Sequence, residues 1–160
     1  MVEHIYQNEI FLPATLEQAF AFFQNVQNLA KITPPWVHFE IITPPPLDIY
    51  EGREYEYKLK VNGIPMHWKT LISVWEPPHR FVDVQLKGPY KTWVHEHSFF
   101  ERENGVLMID TVRYQLPLGF IGELIHIMQV KKFIKQIFEY RNQIISAVFS
   151  GDVKEKGSNT

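Results

Sequence analysis

Residues 54 to 61 alternate without a fault: Tyr55, Tyr57, Leu59 and Val61 fall on one side, Glu54, Glu56, Lys58 and Lys60 on the other. A period of two with one apolar and one charged face predicts a strand in a sheet that is wet on one side only. Asn62-Gly63 is a dipeptide favoured in tight hairpins, and residues 65 to 75 then put Met66, Trp68, Thr70, Ile72 and Val74 on one face until Pro77-Pro78 closes the run. Further strands are predicted over residues 80 to 86, 91 to 101 and 106 to 116, separated by Gly88-Pro89 and Asn104-Gly105. Upstream, residues 3 to 11 read as a strand stopped by Pro13. Residues 36 to 41 read as another, with Val37, Phe39 and Ile41 alternating against His38 and Glu40 before a triple proline. The total is seven strands, six of them consecutive and meander-like.

The period lengthens at two places. Thr15 and Gln18 have capping-box spacing ahead of Leu16, Ala19, Phe20 and Phe23, which predicts a helix over 16 to 24. A second short helix fits residues 25 to 30 and must end at Thr33-Pro34-Pro35. After Pro117 a broad stripe that includes Phe120, Ile121, Leu124, Met128, Phe138 and Val148 predicts a long helix over 118 to 149, with residues 129 to 132 as the place for a break and Gly151 as its end. The order specifies an α+β fold, a curved antiparallel sheet wrapped around one long C-terminal helix. One helix cannot fill the concave side of such a sheet, so an apolar cavity is expected between them.

Composition narrows the function classes. A chain of 160 residues fits one domain, here residues 1 to 150, followed by a polar stretch over 151 to 160 expected to be disordered. The 12 Phe, 7 Tyr and 4 Trp suit a concave apolar site as well as a core. With no cysteine there is no disulfide framework, thiolate nucleophile or Cys-based zinc site. A formal charge of −2 gives no basic field for nucleic acid. The first residues lack the basic start and apolar run of a signal peptide, and no apolar run reaches bilayer length, so a cytoplasmic protein is expected.

Trp93, His95, His97 and Phe99 share one strand face, assigned inward because its aromatic ends would otherwise be exposed. Two imidazoles then enter the cavity wall. They either orient a ligand or move a proton, or they are satisfied by neighbouring groups within the protein. His-x-His with Asp83 or Asp110 could chelate a metal, but no second metal-spaced motif supports it, so neither metal nor cofactor is expected. Trp36, Trp68, Tyr57 and Phe39 are further inward candidates, and core packing competes with ligand contact at each. Met128 and Phe138 complete the wall from the helix. Arg141, placed near the helix end, is read as complementing the last carbonyls or reaching a carboxylate on the sheet, in preference to an anion on a ligand. Which face of residues 106 to 116 points inward is ambiguous from alternation, since Asp110, Val112 and Tyr114 compete with Ile109, Thr111 and Arg113.

Leu12-Pro13-Ala14, Thr33-Pro34-Pro35, the run from Gly88-Pro89-Tyr90-Lys91-Thr92-Trp93 to His95-Glu96-His97, Asp110 to Pro117, and Ile137-Phe138-Glu139-Tyr140-Arg141 carry a resemblance. The chain resembles the START-like, or Bet v 1-like, superfamily with its helix-grip fold, and within it bacterial polyketide cyclase/dehydrase-like ligand-binding proteins. The resemblance implies a pocket for a lipid, polyketide or similar molecule across residues 1 to 150, and it favours Asp110 and Tyr114 inside. An inward Asp110 must be paired, which predicts a hydrogen bond to His95 or His97, with Asp83 and Gln85 in the same network. A carrier or sensor, as monomer or homodimer, is the leading expectation. A cyclase or dehydratase would use His95 or His97 as acid or base, with Asp110 orienting the ring and Tyr114 polarising a carbonyl. A protein-binding module is a third reading, and its sign would be a small or filled cavity.

Overall fold

The computed structural model describes residues 2–61 and 63–151. The alternating segments form β1 (His4–Leu12), β2 (Glu40–Ile41), β3 (Glu54–Val61), β4 (Ile64–Glu76), β5 (Arg80–Lys87), β6 (Thr92–Arg102) and β7 (Gly105–Gln115). Each strand from β2 to β6 pairs antiparallel with its successor, and from β3 onward the short turns between them leave no length for a crossover. β1 closes the far edge beside β7, giving the order β1-β7-β6-β5-β4-β3-β2.

Helix α1 (Leu16–Phe23) starts at the predicted capping box: Gln18 N–H donates to Thr15 Oγ1 at 3.2 Å, and Thr15 N–H donates to Gln18 Oε1 at 3.0 Å. Its buried face sets Phe20 edge-on against Phe81 and Phe99 and closes one end of the concave surface. Helix α2 (Val26–Ile32) follows. The C-terminal stretch is α3 (Gly119–Ile125), a π turn (His126–Val130) and α4 (Lys131–Ser150), whose buried residues Ile134, Phe138, Arg141 and Ile145 face the sheet.

Two predictions need correction. Residues 36 to 41 are not one strand, because Pro35–Val37 forms a 3-10 turn and His38 takes a left-handed conformation (φ 48°) that breaks extension. Trp36 is thereby turned out, 49% exposed, and its ring meets Tyr140 rather than the interior. The long helix keeps its apolar face on the sheet only from α4 onward, and Met128 is 72% exposed. Asn62 and the polar tail over 152 to 160 lie outside the described residues. Among those described, no helix is long and apolar enough to cross a membrane.

Candidate functional site

Between α4 and the concave face of the sheet lies a cavity of about 210 Å³. Its walls are apolar for most of their extent: Tyr57, Trp68, Trp93, Phe133 and Ile137 are among the lining residues. On the sheet side a polar patch is built from Asp83 on β5 and His95 and His97 on β6.

Strand register explains how the patch forms. Asp83 stands opposite His95, and His97 stands opposite Asp110 on β7, so four ionisable side chains crowd one face of three adjacent strands. They bond along the diagonals, which long side chains can span. His95 Nε2 meets Asp110 Oδ1 at 2.8 Å, and His97 Nε2 meets Asp83 Oδ2 at 3.0 Å. His97 Nδ1 also lies 3.0 Å from Asp110 Oδ1, but off the line of a hydrogen bond. Phe81 stacks on His97 with ring centres 4.0 Å apart, which fixes the imidazole plane.

The four groups divide their charge. Burial and the neighbouring His97 hold the His95 pKa below its ordinary value, despite Asp110. Burial also works to lower that of His97, but Asp110 and Asp83 outweigh it and raise it. Burial opposes ionisation of both carboxylates. The hydrogen bonds and charges of the histidines, helped by Arg141, nonetheless hold Asp83 below, and Asp110 well below, the usual carboxylate range. The state favoured at neutral pH is two carboxylates, a neutral His95 and a His97 inclined to keep its proton.

Asp83, His95 and His97 bring one donor atom each within 4.8 Å of one another, the donor set of a two-histidine, one-carboxylate metal site. Asp110 would stand behind it and orient the His95 ring. His4, Glu123 and His126 form a second such group at the α3 end.

Among the residues singled out in the chain, Trp93, His95, His97, Trp68, Tyr57, Phe39 and Phe138 do line the cavity. Phe99 does not: it packs against Phe20 and Phe23 in the core under α1. Asp110, 1% exposed, stands behind the histidines rather than in the wall. Tyr114 points inward, but its hydroxyl engages His126 Nε2 at 2.8 Å outside the cavity lining, and burial pushes its pKa up to about 12. Met128 faces away from the cavity altogether. Gln85 leaves the expected network to bond the backbone of Tyr90, which is itself a lining residue. Trp75 packs on Phe20 and Phe81 at the edge of the core. Arg141 is no helix cap, since it lies well inside α4, and it enters the cavity wall.

The His4, Glu123, Tyr114 and His126 cluster was not visible in the chain. His4 stacks on His126 at 3.6 Å and bonds Glu123 at 2.9 Å across 119 residues, and no local pattern announces such a contact.

No family model and no curated protein matches this sequence. Solved structures do match in shape. A START superfamily protein from Mycobacterium smegmatis aligns with TM-score 0.69 at 10% identity, over 94% of this chain and 99% of that one. Major latex-like protein 151 from Panax ginseng gives 0.69 at 11% identity over 93% and 99%. A protein from Thermus thermophilus gives 0.71 at 15% identity over 94% and 100%. Strand order, the long closing helix and these superpositions together establish that the chain has the helix-grip fold of START-like and Bet v 1-like proteins.

Proposed function

We propose that the protein binds a small hydrophobic molecule in the cavity beneath α4, as carrier or sensor. The observation that carries this reading is the wall itself, apolar and aromatic over most of its area with a few polar groups set into it, the composition of a small-molecule site. Rings such as Trp68 and Trp93, set edge-to-face at 5.4 Å, form a stiff surface that loses little entropy when an apolar body docks. Native mass spectrometry of protein isolated from its own host is expected to reveal a retained apolar ligand in stoichiometric amount. Recovery of only the bare chain, together with no uptake of neutral hydrophobic probes, would remove the reading.

A second reading has one observation in its favour. His95 and His97 are adjacent, with ring centres 3.8 Å apart, yet their pKa values are pushed in opposite directions, the division of labour that acid–base catalysis needs. Neutral His95 would accept a proton and His97 would return one, as in a cyclase or dehydratase. Tyr114 has no part in this version, because its hydroxyl is spent on His126. Replacing both histidines with Gln separates the readings: a binder shifts in affinity by a few-fold, whereas an enzyme loses turnover.

A further inference from the structure

Arg141 is the one arginine or lysine in the wall of the cavity, among the described residues. It sits on α4 at 7% exposure, and its Nε has no hydrogen-bond partner. The acidic side chains nearest in influence are already engaged: Asp110 by His95, Asp83 by His97. Arg141 acts on both only through space. What its guanidinium does cover is the ring of Phe138, 4.9 Å away, which steadies the fork without accepting its protons. Buried guanidinium groups are ordinarily matched by acceptors with good geometry, and this one is not.

We propose that the cavity ligand is an amphipathic anion, an apolar body carrying a carboxylate or a like planar-binding group, and that Arg141 receives that group. A planar fork of donors matches two oxygens of a carboxylate at once. Ile137 and Phe133, one and two turns earlier on the same helix, place apolar wall beside the cation, so head and body of one ligand are served by one helix face. Asp83 and the histidines on the sheet stay available to a hydroxyl or carbonyl elsewhere on the ligand.

The proposal rests on the cavity being a ligand site, and the test keeps the two apart with three probes. Neutral N-phenyl-1-naphthylamine, followed by fluorescence, reports the cavity alone; 2-naphthoate and the near-isosteric 2-naphthamide, which replaces one charged oxygen by NH2, then compete for it. Wild-type protein is expected to prefer the acid by about tenfold or more. Arg141→Met should lose that preference while binding the neutral probe with about wild-type affinity, and Arg141→Lys, which keeps charge but not the fork, should fall between. Equal competition by acid and amide in wild type overturns the assignment to Arg141 and leaves the cavity reading standing. A preference that survives in Arg141→Met or is undiminished in Arg141→Lys does the same. If none of the three probes binds, both fall. If Arg141→Met does not fold, the wild-type comparison and the lysine variant still decide.

Discussion

The two halves of the C-terminal helical stretch carry apolar residues at similar density and meet the sheet in opposite ways. In α4, Ile134, Phe138 and Ile145 are buried and form one wall of the interior. In α3 and the π turn, Phe120, Ile121, Leu124, Ile127 and Met128 are all exposed, Phe120 by 76%. The inward positions there are Gly122 and His126, four residues apart. Gly122 is pressed so close to Pro117 that a Cβ would come within 2.2 Å of its carbonyl oxygen, and His126 is tied to Tyr114. A π turn takes one residue more than an α turn, so it swings everything before it by about 100° relative to the stripe that follows. An apolar stripe therefore does not mean a buried one.

The largest contrast should appear on truncating matching aromatics. Phe138→Ala removes a ring that packs on Tyr6 at 5.0 Å and should cost about 3–5 kcal/mol in urea denaturation, whereas a cost under about 1 would mean α4 is not the wall. Next, deleting Ile127 should convert the π turn to regular helix, rotate α3 and break the Tyr114–His126 and His4–Glu123 bonds, for a loss of about 2 kcal/mol.

The polar anchors under the two halves should differ in pH response. Asp110→Asn, beneath α4, should cost about 2 kcal/mol at neutral pH. Because the folded-state pKa of Asp110 is depressed, its contribution is present above about pH 4 and is lost as pH falls through the lower folded value, so wild type and variant should converge in acid. Tyr114→Phe, beneath α3, should cost about 1 kcal/mol with little change across neutral pH, since the tyrosine is neutral there. Smallest of all, Phe120→Ser should stay within about 0.5 kcal/mol of wild type in the same assay.

Strands and caps were readable because their signals are local. The alternation of Tyr55 to Val61 required only the pleat, and the Thr15–Gln18 box only four residues. The hydrogen bond that a histidine donates to Asp110 followed from the cost of an inward charge, and it is present. What stayed hidden depends on register and backbone phase. Nothing in residues 36 to 41 shows that His38 turns left-handed, and no residue type marks a π turn after Ile125. The diagonal that gives Asp83 to His97 exists only once β5 and β6 are aligned, and the entry of Arg141 into the cavity wall depends on which face α4 turns to the sheet.

Asp110 has one further consequence. Holding both rings from behind, while Phe81 and Asp83 hold His97 from the side, it denies the sheet's polar patch any freedom to re-aim. Two fixed points on the sheet and one on the helix across from it are the minimum needed to tell a molecule from its mirror image. A chiral acid held at all three should bind in one hand over the other, and separate titration of its enantiomers would measure the preference.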